Sequence, residues 1–465
     1  MRRSTLVLGS LIVLLALGLG CDDRGTNLQV VDLGDMEGQS GVFPLAVHAY
    51  PYYLTLQLLN RFELLEGAAY VPSEAIGPNY RPVPSLVLLA PEGGNKLHYF
   101  RAGLAQLMQE LTAAGKVQPM VVLCIANDQR FGGYFYADSD PAGHYDSIFH
   151  YDGRDAVPDD LVDYIHFAFP ATMDEPQKRG IGGIGQGAYG AFRAAIQNPG
   201  LFGSISVTDG PLDFDGPNGS AGLRALIDDC LAEQLAHYNA DPRMGITDID
   251  SSVVPWDTTY SSLPFSFRTD FDSSRTMPVS QMFIGGSLAF SPDDTLVTYT
   301  RTFIENPTLP GGGRVEVEVT SRSRISDGPP PVGSSEWETL IAGIVKGDLL
   351  IDGVPEGFDF HLPFDSAGDV YPPIWSRWMA NNLDSLHQRA ANSLDNVNIW
   401  VATNAGAKWD YDQMTQSWLA YLRSQQVPFE EYKYSGYCDE VVEGDEFLFD
   451  LLREMLIFHS ESFGN

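Results

Sequence analysis

The stretch from Ile181 to Arg193 constrains the fold of this chain more than any other part of it. It reads Ile-Gly-Gly-Ile-Gly-Gln-Gly-Ala-Tyr-Gly-Ala-Phe-Arg, in which a β-rich, glycine-spaced segment leads into residues typical of a helix. The pattern predicts a strand, a tight turn and a helix over Ala188–Gln197, which Pro199 ends.

Strands and helices are predicted to alternate along much of the chain. Short apolar runs predict buried strands, and apolar residues at helical spacing predict amphipathic helices. The strands are expected at 85–89, 120–126, 397–403 and 429–433, and the helices at 100–114, 159–169 and 447–460. This alternation predicts an α/β fold with a mostly parallel central sheet that is covered by helices.

The turn itself has the layout of a nucleophile elbow without the nucleophile. Gly183-Ile184-Gly185-Gln186-Gly187 matches the frame Gly-x-Ser-x-Gly, in which a strained strand-to-helix turn exposes a serine above the sheet. In this chain Gly185 stands at the serine position. We therefore expect the turn to be kept and the serine nucleophile to be absent.

The likeness extends beyond the elbow. Five other segments are also similar to one branch of the α/β-hydrolase superfamily: Pro199–Gly203, Asp209–Phe214, Gln281–Pro292, Gly357–Asp365 and Ile374–Met379. The chain resembles the esterase branch that includes esterase D, the antigen 85 acyltransferases and the enterochelin esterases. The resemblance implies a three-layer α/β-hydrolase sandwich and a serine hydrolase or acyltransferase activity.

Other positions that the resemblance marks as catalytic also hold unsuitable residues. The place of the acid after the penultimate strand is taken by Trp409, with Asp410 one residue later, and the place of the histidine is taken by Cys438. In the loop that supplies an oxyanion-hole amide, Pro91 has no N–H, and Glu92 brings a negative charge towards a developing oxyanion.

A chain without the triad is expected to bind rather than to catalyse. Acyl transfer needs an oxygen nucleophile, a base and an orienting acid, and all three are replaced here. We therefore expect a pseudoenzyme with a binding or scaffold role. The pocket would lie beside Gln186, and Trp409 would either stack on a glycan or acyl ligand or fill the empty site.

The same residues are compatible with two alternatives. One is a carboxylic-ester hydrolase or acyltransferase with a rebuilt site, in which Ser287 is the fallback nucleophile and Asp410 the fallback acid. In the other, the pocket is vestigial and the acidic outer surface is the functional part; a protein partner is also possible.

The first 44 residues are predicted to lie outside the catalytic-type domain. Arg2 and Arg3 precede the apolar run Leu6–Leu19, which indicates a signal peptide over residues 1–20. Gly18-Leu19-Gly20-Cys21 resembles a bacterial lipobox, which implies lipidation of Cys21 and an anchor in the bacterial cell envelope. Residues 21–44 would be a tether and 45–465 the α/β-hydrolase domain.

A segment at about 300–350 interrupts the resemblance and is predicted to be an insertion. Arg314–Val319 alternates strictly between apolar and polar residues, as a half-exposed strand does. A capping box at Ser335 predicts a helix to about Lys346. The insertion would be either a cap over the pocket mouth or a peripheral addition.

Charge and cysteine content exclude several classes of partner. The formal net charge is −33, from 61 acidic and 28 basic residues, which disfavours nucleic acid as a partner on electrostatic grounds. Cysteines beyond Cys21 are too widely spaced for a zinc pattern or a disulfide framework. We therefore expect no metal and no cofactor.

Overall fold

A computed structural model describes the chain over residues 41–49, 63–76, 80–127, 133, 135–137, 165, 169, 171–217, 222–240, 278–305, 314–324, 358–364, 368–404, 407–434 and 446–464. The predicted signal peptide, Cys21, the predicted insertion helix and Cys438 lie outside these residues, as does nearly all of the helix predicted at 159–169. No helix within the described ranges is both long and apolar enough to cross a membrane.

The described strands are β1 (Gly41–Ala49), β2 (Glu63–Val71), β3 (Ser85–Leu89), β4 (Val121–Ile125), β5 (Arg179–Ile184), β6 (Ser204–Thr208), β7 (Pro292–Glu305), β8 (Arg314–Arg324), β9 (Phe358–Phe360), β10 (Asn398–Asn404) and β11 (Glu430–Tyr434). Eight of them form the main sheet, in the order β1-β2-β4-β3-β5-β6-β10-β11. From β4 to β11 all neighbours are parallel, whereas β2 runs antiparallel to β4 and to β1.

This topology determines where a site can form. Parallel strands bring their carboxyl ends to one edge of the sheet, and ligands of such sheets bind in the crevice at that edge. The loops after β3, β5, β6 and β10 leave from adjacent strands, because these four are neighbours in the order given above. They therefore lie side by side.

The described helices are α1 (His98–Arg101), α2 (Leu104–Ala113), α3 (Gln186–Gln197), α4 (Ile227–Ala240), α5 (Pro278–Phe290), α6 (Pro372–Ala380), α7 (Leu383–Arg389), α8 (Tyr411–Ser424) and α9 (Glu446–Ser462). On one face of the main sheet, apolar side chains of α3, α5, α6, α7 and α8 form the larger core. On the other face, those of α2 and α9 form the second core. The three-layer α/β prediction is confirmed.

Two predicted segments differ from the structure. The helix predicted over 100–114 is divided into α1 and α2, because the backbone at Gly103 turns to a φ of 91°. A Cβ at position 103 would lie 2.7 Å from the Phe449 ring of α9, so the break also lets α9 approach. Strand β1 begins at Gly41, which is inside the segment predicted to be a tether.

A second, smaller sheet contains part of the predicted insertion. Strand β7 pairs antiparallel with β8 and with β9, in the order β8-β7-β9. The alternating segment from Arg314 is therefore a strand, as predicted, and it continues to Arg324. The other residues of the predicted insertion, 306–313 and those from 325 on, lie outside the described residues.

A buried histidine joins the C-terminal helix to the main sheet. His459 of α9 is fully buried, with Nδ1 2.7 Å from Ser204 Oγ and Nε2 2.7 Å from Ser206 Oγ. A Cβ at position 180 of β5 would lie 2.6 Å from Nδ1, so the glycine there makes room for the ring. Burial lowers the pKa of His459 from 6.5 to about 3, and the ring is therefore neutral at physiological pH.

This depressed pKa predicts a loss of stability in acid. Below pH 6.5 the unfolded chain binds a proton at residue 459 that the folded chain does not bind, down to a pH of about 3. In this range, each decrease of one pH unit lowers the free energy of unfolding by about 1.4 kcal/mol. Between pH 7 and 4.5, denaturant titrations should show the wild type losing roughly 2–3 kcal/mol relative to His459→Gln. A pH-independent difference between the two proteins would contradict this assignment.

Candidate functional site

The turn between β5 and α3 has the backbone of an elbow. Gly185 has φ 58° and ψ −125°, a conformation that L side chains rarely adopt without strain. Its amide donates a hydrogen bond to the carbonyl oxygen of Asp209, at 2.8 Å. The tight turn predicted from the glycine spacing is therefore present, and it is fixed to the end of β6.

Helix α3 begins unusually close to the sheet. A Cβ at Gly187 would lie only 2.1 Å from the carbonyl oxygen of Leu89, the last residue of β3. Only glycine allows the first turn of the helix to pack so closely against that backbone. Gly187, the last glycine of the elbow frame, is therefore required for packing, whether or not a nucleophile is present.

The carboxylate of Glu92 lies where an elbow side chain would project. Its Oε2 accepts a hydrogen bond from the backbone N–H of Gln186 at 2.9 Å. A Cβ built on Gly185 would lie 2.5 Å from the same oxygen. Glu92 thus fills the space of a serine side chain and also takes an amide at the N-terminus of α3, where the helix dipole favours an anion.

The turn that carries Glu92 is tied to the neighbouring strand on both sides. Gly93 N donates to the carbonyl oxygen of Asn127 at 3.0 Å, and Asn127 N donates to the carbonyl oxygen of Gly94 at 2.6 Å. Within the turn, Gly94 N donates to Pro91 O at 2.9 Å. These bonds fix the backbone from which Glu92 reaches over Gly185.

Glu92 places a negative charge where an oxyanion hole would offer hydrogen-bond donors. In α/β-hydrolases the amide of the residue after the nucleophile is one of the two donors that stabilise the tetrahedral intermediate. At Gln186 that donor is already bonded to a carboxylate. A developing oxyanion at this place would be repelled by Glu92 rather than stabilised.

The side chain of Gln186 is buried in a polar pair with Asn127. Its Oε1 accepts hydrogen bonds from Asn127 Nδ2 at 3.2 Å and from Phe135 N at 3.4 Å. Gln186 Nε2 and Asn127 Oδ1, a donor and an acceptor, have no hydrogen-bond partner among the described residues. An unsatisfied buried polar atom costs about 1–3 kcal/mol, and one bridging water would satisfy both.

A buried carboxylate that the sequence did not reveal lies on the other side of the elbow. Asp209 follows β6 and is 4 % exposed. Its Oδ2 accepts hydrogen bonds from Asn404 N at 3.0 Å and from the Tyr434 hydroxyl at 2.7 Å. The available signal was its place in the family-like segment Asp209–Phe214, but motif spacing directed attention to the loop after β10.

That loop places Trp409 and Asp410 in a strained turn. Both residues have positive φ, at 56° and 55°. Trp409 is half-buried against the larger core, and the Lys408 ammonium lies 4.3 Å from its ring centroid. Asp410 Oδ1 accepts a hydrogen bond from Gln413 of α8 at 3.1 Å, so this carboxylate faces its own helix start.

Ser287 does not have the surroundings of a nucleophile. It lies inside α5 with no exposed surface, and its Oγ has no hydrogen-bond partner within the described structure. The elbow-like frame around it is therefore helix rather than a strand-to-helix turn. In the described part of the chain, no group of three or more His, Cys, Asp and Glu side chains is placed to hold a metal ion.

Comparison with known proteins identifies the family. Residues 78–449, most of the chain, match the family model described as "Putative esterase". No curated protein is significantly similar in sequence.

Among solved structures, a ferulic acid esterase is 12 % identical (TM-score 0.44; 92 % of this chain and 99 % of that one covered). An S-formylglutathione hydrolase from Agrobacterium tumefaciens is 13 % identical (TM-score 0.41; 92 % of this chain and 97 % of that one covered). MPT51 from Mycobacterium tuberculosis is 12 % identical (TM-score 0.37; 86 % of this chain and 94 % of that one covered).

The contact between Glu92 and the elbow predicts how a restored serine would behave. Gly185→Ser should lower the free energy of unfolding in urea by more than the ~1–3 kcal/mol of backbone strain alone, because its Cβ would meet the Glu92 carboxylate. Adding Glu92→Ala should recover the excess.

A control variant reports the cost of a serine at a positive φ where its Cβ meets no other atom. Gly200→Ser introduces the same residue at a φ of 81°, with no heavy atom within 4 Å of the new Cβ. Equal losses at positions 185 and 200, with no recovery from Glu92→Ala, would show that Glu92 does not occupy the elbow.

Proposed function

We propose that this chain, which belongs to the esterase family of α/β-hydrolases, is a lipid-anchored extracytoplasmic protein that binds a glycan or acyl ligand in a pocket beside Gln186, without triad catalysis. The observation that carries the proposal is the hydrogen bond from Gln186 N to the Glu92 carboxylate beside Gly185. The Glu92 side chain thereby fills the space of a nucleophile. It also occupies the Gln186 amide, a hydrogen-bond donor on which ester hydrolysis depends.

The remaining triad positions support the same proposal. The place expected for the acid holds the half-buried Trp409, and Asp410 is engaged with α8. In the sequence Cys438 takes the place of the histidine. The fully buried His459 is held between two serine hydroxyls beneath β5 and β6. Loss of a triad serine alone can cost a factor on the order of 10⁶ in turnover.

Family membership favours a second candidate, a carboxylic-ester hydrolase with a rebuilt site. The specific observation in its favour is a pair of acidic residues on either side of Gly185. Glu92 reaches the elbow with its side chain, and Asp209 is bonded to the elbow amide through its carbonyl oxygen. In such an enzyme Glu92 would act as a general base on water, but it would first have to leave the Gln186 amide.

The proposed anchor rests on the sequence alone. The apolar run before Cys21 and the lipobox-like Gly18–Cys21 support lipidation of that cysteine in a bacterial cell envelope. Acyl labelling that persists in a Cys21→Ala variant would contradict it.

The two candidate functions predict different activity measurements. The purified protein should not hydrolyse short acyl esters above background, and a fluorophosphonate probe should label no serine, since residue 185 has no side chain. Glu92→Gln should leave this background unchanged. Hydrolysis that Glu92→Gln abolishes would instead establish the rebuilt esterase, and stoichiometric labelling would overturn the proposal at the serine where it maps.

Trp409 distinguishes an open pocket from a filled one. Because its ring is only half-buried, Trp409→Ala should cost clearly less stability than Trp418→Ala, whose ring is 1 % exposed and whose loss should cost ~3–5 kcal/mol. In a thermal-shift screen of glycans and acyl compounds, Trp409→Ala should stay folded and lose the shifts seen with wild type. A cost equal to that of Trp418→Ala, with no hit for the wild type, would contradict the binding pocket.

A further inference from the structure

The last strand of the main sheet offers an edge with no strand partner in the described part of the chain. β11 (Glu430–Tyr434) pairs with β10 on one side and ends the strand order on the other. An unpaired edge presents backbone N–H and C=O groups that can pair with another strand.

One face of β11 carries an exposed tyrosine at the centre of the strand. Tyr432 is 40 % exposed, which is unusual for a large apolar residue in the described structure. Its ring stacks on Trp400 at 5.6 Å, and Trp400 in turn stacks on Phe458 of α9 at 6.3 Å. This stacked column holds Tyr432 in place at the edge.

The opposite face of β11 carries charges of both signs. Glu431 accepts hydrogen bonds from Arg423 at 2.8 Å and from Gln416 at 3.0 Å. The Lys433 ammonium is 3.7 Å from Glu431, and its side chain is 77 % exposed. Two basic side chains, Arg423 and Lys433, flank the Glu431 carboxylate on this face.

The order of these residues is self-complementary. If two copies of β11 pair antiparallel about a two-fold axis at Tyr432, Glu431 of each copy lies opposite Lys433 of the other. Tyr432 lies opposite Tyr432, and Glu430 lies opposite Tyr434. Opposite charges and aromatic rings directly across an antiparallel pair are stabilising, whereas like charges are destabilising.

We propose that β11 is a homodimerisation edge, at which a second copy of this chain extends the main sheet through antiparallel β11 pairing centred on Tyr432. The two Glu431–Lys433 pairs across the two-fold axis would supply attraction between molecules whose formal net charge is −33. Because the strand has only five residues, the dimer should be weak and concentration-dependent. This inference does not depend on the function of the elbow.

A charge-swap experiment tests the pairing. Light scattering of the full chain, followed over concentration, should show a monomer–dimer equilibrium. Lys433→Glu and Glu431→Lys should each weaken self-association by at least about tenfold, because two attractive pairs become two repulsive ones. An equimolar mixture of the two variants should dimerise again, since one variant has glutamate at both positions and the other has lysine at both.

Cysteine crosslinking tests the register independently of charge. Under mild oxidation Tyr432→Cys should form a disulfide-linked dimer, since the two copies of residue 432 lie directly opposite each other. Glu430→Cys is the control, because its two copies would be offset by four residues, roughly 14 Å. The unsubstituted chain, treated alike, reports crosslinks through native cysteines.

Three outcomes would overturn the proposal. They are a wild type that stays monomeric at all concentrations, a mixture of the two charge variants that does not recover dimer, or equal crosslinking at positions 430 and 432. Lys433 is highly exposed, so its substitution should not disturb folding, and an unchanged thermal melt confirms this.

Discussion

The hydrogen bond between the Gln186 amide and the Glu92 carboxylate determines which groups the elbow can offer to a ligand or substrate. It uses a donor that an esterase would keep for the tetrahedral intermediate, and it places negative charge where negative charge would develop. A glycine at 185 is what makes the contact compatible with the elbow, since a Cβ there would meet the carboxylate. The glycine at position 185 and the carboxylate beside it are therefore linked.

The parallel sheet supplies the geometry for this contact. Neighbouring strands β3 and β5 bring the turn that carries Glu92 and the start of α3 to one edge, and the backbone bonds of that turn to Asn127 fix its position. Beside it, β6 and β10 hold Asp209 in contact with Asn404 and Tyr434. The edge keeps the architecture of a hydrolase, while the groups presented there are two carboxylates and a half-buried indole ring.

Much of this fold could be predicted from the sequence, because the apolar runs and the glycine spacing are local signals. β3, β4, β10, β11 and the elbow were found within a residue or two. The departures at Gly185, Trp409 and Cys438 were also visible, since motif spacing is local. The hydrogen bond from Gln186 to Glu92 and the burial of Asp209 could not be predicted in this way. Both depend on contacts between segments that are far apart in the chain. The break at Gly103 is the exception, since its local signal is only a single glycine within a helical pattern, and such a glycine is often tolerated inside a helix.

The most direct test of the central contact is the pH titration of the Gln186 amide, observed by NMR in protein labelled with ¹⁵N-glutamine. If the amide donates to the Glu92 carboxylate, its proton resonance should lie downfield and shift in acid as that carboxyl group is protonated. In a Glu92→Gln variant the acid shift should vanish. An amide resonance that is the same in both proteins at every pH would contradict the account.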